Sequence, residues 1–159
     1  MLNIKDSTRV FLCPTDTIYG LSARASDAEA IERIRELKGR GESQNFITLI
    51  AGTQDLEKFD VKLTVHQEKL LTRIWPGPVT VVLDTLDGST KAFRVPDYPE
   101  LIEFIKKVGP IVSTSANMHG QAPVYTITEA KEVFGNKIDE YINAGELAGE
   151  PSTIIKILR

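Results

Sequence analysis

At 159 residues with 42% hydrophobic side chains, the sequence has the size and composition of one globular domain, and no linker-like stretch divides it. A formal charge of −3 argues against a generally basic nucleic-acid binder, although a local basic patch is compatible with it. The chain opens without an apolar signal-like segment and nowhere approaches the roughly 18 consecutive apolar residues of a membrane span, so a cytoplasmic protein with no membrane partner is expected.

The apolar run Arg9 to Cys13 reads as a strand that delivers the octet Pro14-Thr15-Asp16-Thr17-Ile18-Tyr19-Gly20-Leu21. Pro14 cannot donate to a sheet ladder, and Gly20 is free to take backbone angles closed to other residues, so the two bracket a loop of hydroxyls and one carboxylate. A helix pattern follows. Ser26-Asp27-Ala28-Glu29 has capping-box spacing, and Ala30, Ile31, Ile34 and Leu37 recur at helical intervals, which predicts a helix over about 27–38. Phe46 to Ala51 suits a buried strand, and a short helix is expected from Thr53 toward Phe59. A second capping box, Thr64 to Gln67, opens a helix through Leu70, Leu71 and Ile74 that Trp75-Pro76-Gly77-Pro78 stops. Val79 to Asp84 and Lys91 to Val95 read as a hairpin, with Trp75 in the core or at the rim of a site. Pro99 begins a helix that ends near Gly109, before a strand over 111–114. Thr126 to Glu129 is a third capping box whose helix stops at Gly135, and the segments 138–142 and 153–158 are the last strands. Interleaved helices and strands with at least one hairpin make an α/β fold with a mixed sheet.

Cys13, the only cysteine, reads as a small core residue rather than a nucleophile, and His66 and His119 are too scattered for a protein-built zinc site. No Walker lysine motif or GxGxxG is present, and the hydroxyls lack a convincing His base. The element boundaries instead carry cations and hydroxyls: Lys38-Gly39-Arg40, Phe93-Arg94-Val95-Pro96-Asp97, Ser113-Thr114-Ser115-Ala116-Asn117-Met118-His119-Gly120 and Glu150-Pro151-Ser152-Thr153-Ile154. Such a set suits attack of a substrate carboxylate on a phosphate, where positioning and charge neutralisation matter more than a protein nucleophile. Each motif alone has a plainer reading. The octet and the Ser115-to-Asn117 segment could be turns, Lys38 and Arg40 could complement a helix dipole, and Arg94 could sit on the surface of a hairpin.

Together and in this order, the motifs resemble the YrdC-like family of threonylcarbamoyl-AMP synthases, whose members carry PT(D/E)T(V/I)YGL, KxR, R-x-P-D, SAN-x-x-G and a late ST(I/V). The resemblance covers nearly the whole chain and implies one domain with a twisted mixed sheet flanked by helices. It implies synthesis of L-threonylcarbamoyladenylate and pyrophosphate from L-threonine, bicarbonate and ATP, with Mg²⁺ accompanying ATP, for modification of adenosine 37 in tRNA. A downstream threonylcarbamoyl transferase is the implied receiver of the product. By position, Thr17, Arg94, Ser113 and Ser152 match the threonine-binding residues. Lys38 and Arg40 match the catalytic, nucleotide-side cations, and Ser115 and Asn117 match further nucleotide contacts.

The chain departs from the family between Gly41 and Phe46, where Gln44 stands in for a polar nucleotide contact. Leu49 falls where some relatives have a histidine, His119 replaces a small hydroxyl, and only thirteen residues precede Pro14, where the family usually has a helix. Two further readings stay open: a non-catalytic module binding double-stranded RNA or tRNA, and a carbamoyl-transferring relative with another acceptor.

Overall fold

The computed structural model describes residues 2, 4, 5, 7–39 and 46–157. Its strands are β1 (Phe11–Cys13), β2 (Gly20–Arg24), β3 (Ile47–Leu49), β4 (Val79–Asp84), β5 (Thr90–Arg94), β6 (Ile111–Ser115), β7 (Glu140–Tyr141) and β8 (Thr153–Lys156). The α-helices are α1 (Ala28–Lys38), α2 (Val65–Ile74), α3 (Pro99–Val108) and α4 (Ile127–Phe134). All eight strands join one mixed sheet in the order β7-β1-β2-β6-β3-β5-β4-β8. The expected hairpin is there as the antiparallel β4–β5 pair, while β3–β5, β1–β7 and β4–β8 are parallel.

Two local expectations change. A strand, β2, begins at Gly20 within the octet and runs to Arg24 before the first helix, so Pro14 to Tyr19 form the loop of a β1–β2 hairpin in which Cys13 pairs with Gly20. Ser26 is not the cap of α1; Asp27 is, accepting the Ala30 N–H at 3.1 Å, so the capping register sits one residue later. The short helix expected from Thr53 toward Phe59 forms, as a 3-10 helix over Thr53–Phe59. The other two capping boxes form as expected, with Thr64 and Gln67, and Thr126 and Glu129, satisfying each other's backbone N–H groups.

Alternation along the strands sorts the side chains onto two faces. One face packs Leu12, Leu21, Ala23 and Val112 against Ala30 and Ile34 of α1 and Ala130 and Phe134 of α4. Farther along the same face, Val81, Leu83 and Phe93 meet Leu56, Leu71 of α2 and Trp75, whose indole N–H donates to the Val79 carbonyl at 2.7 Å. Trp75 is therefore a core residue. The opposite face is covered by α3, whose Leu101, Phe104 and Ile105 pack on Phe11, Cys13, Leu49 and Ile111. Burial pushes the Cys13 thiol pKa up, so it is a core residue and not a nucleophile.

Register places polar side chains on that same opposite face. Phe11 pairs with Ser22, Ser22 with Ser113, Ser113 with Ile47, and Leu49 with Arg94. The part of this face beyond α3 is where the sequence motifs converge.

Candidate active site

The octet loop is organised by Thr15, whose buried hydroxyl oxygen accepts the N–H groups of Thr17 and Ile18 at 3.1 and 3.2 Å and donates to the Ile18 carbonyl at 2.7 Å. This turn aims Thr17 at Arg94, which donates from Nη1 to Thr17 Oγ1 at 3.1 Å. Arg94 closes β5 at only 3% exposure, so it is not a surface residue of the hairpin. Its Nε donates to the Gly77 carbonyl at 3.0 Å and its Nη2 is ion-paired with Asp16. Asp16 also accepts the Asp97 N–H at 3.0 Å, tying the octet to the segment after β5. Burial pulls the Arg94 pKa below the ordinary arginine value, against the opposing pull of Asp16. Three of the five guanidinium N–H groups are engaged by Gly77, Thr17 and Asp16, and the fork keeps donors for an anionic ligand.

Ser113 on β6 receives the Ser22 hydroxyl at 3.0 Å, and Ser152 shares a 2.7 Å hydrogen bond with the fully buried Thr80. Thr17, Arg94, Ser113 and Ser152, four residues far apart in sequence, line one cavity of about 190 Å³. That is below the roughly 300–1,000 Å³ of sites for drug-sized ligands and suits a small solute such as an amino acid. Ile18, Ile47, Leu49 and Ile154 give it an apolar wall, so Leu49 does stand in the site. Gly20 is needed there for space rather than for a special backbone angle. A Cβ on it would come within 2.2 Å of Ser113 Oγ, and its φ is not positive.

Beside this cavity lies a second polar group. Lys38, at the end of α1 and only 4% exposed, donates from Nζ to the Ser115 carbonyl and to Asn117 Oδ1, both at 2.7 Å, with Ser115 Oγ at 3.3 Å. Ser115 in turn donates to Asn117 Oδ1 at 2.6 Å, and the Asn117 amide is held by the Met118 and Gln121 carbonyls. Lys38 thus reaches across from α1 to the end of β6 instead of merely facing the helix dipole. Ser115 also lines the cavity, so the two groups share a border. His119 lies by Gly39, at the same helix end. Arg40, Gln44 and the rest of the altered segment up to Asn45 lie outside the described residues.

Asp16, Ser22 and Thr80, outside the site residues expected from the sequence, hold Arg94, Ser113 and Ser152 in place. Asp16 had a signal, a carboxylate inside the octet. Ser22 and Thr80 had none, because their partners are set by strand register and by the path of a distant loop.

The family model Sua5/YciO/YrdC, described as "Telomere recombination", matches residues 4–159. A threonylcarbamoyl-AMP synthase of Yersinia enterocolitica is 33% identical, with 97% of this chain and 87% of that protein covered. One from Pyrococcus abyssi is 36% identical over 91% of this chain but only 46% of its own length. The crystal structure of P. abyssi Sua5 complexed with L-threonine superimposes with a TM-score of 0.84 at 33% identity, over 94% of this chain and 47% of that one. The chain thus spans about half the length of the P. abyssi proteins. E. coli YciO shares the fold, with a TM-score of 0.83 at 24% identity over 96% of this chain and 79% of that one. With four of the five motifs lining one cavity, Lys38 of the fifth hydrogen-bonded to Ser115 at its border, and the family model matching nearly end to end, this chain belongs to the Sua5/YciO/YrdC family.

Proposed function

We propose that the chain is an L-threonylcarbamoyladenylate synthase, a nucleotidyltransferase that makes threonylcarbamoyl-AMP and pyrophosphate from L-threonine, bicarbonate and ATP for tRNA modification. The observation that carries this reading is the small cavity joining a buried arginine to three hydroxyls, with the Lys38 cluster at its border. Arg94 offers its remaining donors to the amino acid's carboxylate, while Thr17, Ser113 and Ser152 surround the amine and side-chain hydroxyl. The apolar wall receives the methyl group.

In the reaction, the neutral amine and bicarbonate combine, by way of carbon dioxide, to give a carbamate and one molecule of water. A carbamate oxygen then bonds to the α-phosphorus as the bond to pyrophosphate breaks. Lys38, Ser115 and Asn117, with Arg40 and Gln44, are proposed to hold the nucleotide so that this attack is aligned. The Lys38 ammonium among the Ser115 and Asn117 oxygens is a donor set that suits the phosphates of magnesium–ATP rather than a metal ion held by the protein itself. Mg²⁺ is proposed to enter on the phosphates, keeping most of its shell of phosphate and water and neutralising charge there.

The buried state of Arg94 and Lys38 favours this reading over an RNA-backbone groove, which needs cations that a surface phosphate can reach. Among the described residues no helix is long and apolar enough to cross a membrane, and we place the reaction in the cytoplasm. The labile product is proposed to pass to a threonylcarbamoyl transferase acting on tRNA.

Pyrophosphate release from ATP should require both L-threonine and bicarbonate. Release that ignores threonine, or none under any condition, would overturn the assignment. A second test uses Gly20→Ala. The added methyl forces the Ser113 hydroxyl to rotate off the Ser22 hydroxyl, while the Thr114 carbonyl oxygen, 3.3 Å from that methyl, has to give by only a few tenths of an ångström. The threonine requirement should rise about tenfold with little change in melting temperature, the loss expected for one hydrogen bond to a charged group.

A further inference from the structure

Strands β7 and β8 are consecutive in sequence yet lie at opposite edges of the sheet, so the chain from Tyr141 to Thr153 crosses its whole width. Interstrand spacings of about 4.8 Å make that width roughly 34 Å, while the connecting residues reach at most about 43 Å when fully extended. This connection contains no helix or strand, and most of it is exposed. Its course is therefore fixed by a few points of attachment.

The first is Tyr19. Its ring is fully buried, and its hydroxyl donates to the Gly145 carbonyl at 2.7 Å and accepts the Ala144 N–H at 2.9 Å. Gly145 has a positive φ of 76°, and its own N–H goes to the Asn143 side chain at 2.9 Å, which shapes the backbone for this grip. The second is Gly149, whose backbone lies directly on the octet. A Cβ there would come within 2.4 Å of the Thr17 carbonyl oxygen, a backbone atom with no rotamer to escape into. Two residues beyond it, Pro151 and Ser152 form part of the cavity wall, and the Thr153 N–H is tied to the Pro78 carbonyl at 2.9 Å.

We propose that residues 143–152 form a strap seated on the Thr17 loop by the Tyr19 hydroxyl and the Gly149 backbone. Tyr19 and Gly149 are then positioning residues that set where Thr17 and Ser152 present their hydroxyls to an amino acid ligand. This inference rests on the assignment of the cavity to threonine. Segments with few buried contacts open at low cost, so losing one attachment displaces the strap before it disturbs the core. Misplacement by about 1 Å can cost up to a hundredfold in a site that depends on alignment.

The test uses Gly149→Ala, which lifts the strap, and Tyr19→Phe, which keeps the buried ring and removes only the hydroxyl. Binding of L-threonine and of magnesium–ATP is measured by calorimetry, with amide hydrogen exchange across 143–152 followed in parallel. Both variants should bind threonine about tenfold more weakly or worse. ATP affinity should hold, and exchange should speed up in 143–152 but not in β2 or β6. Threonine affinity equal to wild type in either folded variant overturns the strap, as does parallel loss of both ligands. Failure of the wild type itself to bind threonine overturns the threonine assignment and this inference with it, a result distinct from the other two.

Discussion

Replacing Arg94 by Lys should raise the threonine requirement about tenfold to hundredfold while ATP affinity stays near wild type. Lysine keeps the charge but not the planar fork, and in this site the fork does two jobs. Toward the protein it joins Gly77, Thr17 and Asp16; toward the cavity it holds the donors for a carboxylate. An ammonium cannot reach three fixed acceptors in different directions and still face a ligand. Loss of one charge-assisted hydrogen bond of roughly 1.5–3 kcal/mol accounts for the size of the effect. Threonine is titrated at saturating ATP in wild type and variant, and ATP affinity is measured in both. An unchanged threonine dependence with weakened ATP binding would move Arg94 to the nucleotide side.

Replacing Lys38 by Met should do the reverse, weakening ATP binding about tenfold to hundredfold, and adding Arg40→Ala should deepen the loss. Methionine fills the space of the aliphatic stem but leaves the Ser115 carbonyl and Asn117 Oδ1 without their buried cation. Both acceptors keep a neutral donor, the Asn117 N–H on the Ser115 carbonyl at 3.0 Å and the Ser115 hydroxyl on Asn117 Oδ1 at 2.6 Å, so what is lost is charge-assisted hydrogen bonding of about 1.5–3 kcal/mol; the segment after β6 should loosen and the melting temperature fall. Threonine affinity measured without ATP should shift by about twofold or less, since Arg94 and Lys38 share no hydrogen-bond partner among those described. Nucleotide affinity unchanged in the double variant would refute the role of both cations.

Much of this was written in the sequence. Capping boxes at Thr64 and Thr126, Pro99 opening a helix and Gly135 closing one are local events decided by neighbours a few residues apart, and they form where the pattern places them. The order of the motifs likewise carries the family resemblance in the sequence alone. Strand β2 is hard to read because Leu21-Ser22-Ala23-Arg24 is a short alternation with little β-branched or aromatic content, pressed directly against a strong helix signal. The 3-10 form of Thr53–Phe59 and the one-residue shift of the α1 cap are choices between near-equal local geometries that packing settles.

The sequence by itself determined most of the elements other than β2, which residue types stand at their ends, and therefore that cations and hydroxyls would collect at loop boundaries. Only the tertiary structure decided that Arg94 is buried and locked to Asp16, that Lys38 reaches Ser115 and Asn117, and that Ser22 and Thr80 stand behind the site's serines. The physical reason is register. A side chain's face alternates with every residue, and its neighbour across the sheet depends on pairings separated by tens of residues, so no short stretch of sequence contains the information. The strap over Thr17 is the extreme case: its path follows from the placement of β7 and β8 at opposite edges, a property of the whole sheet.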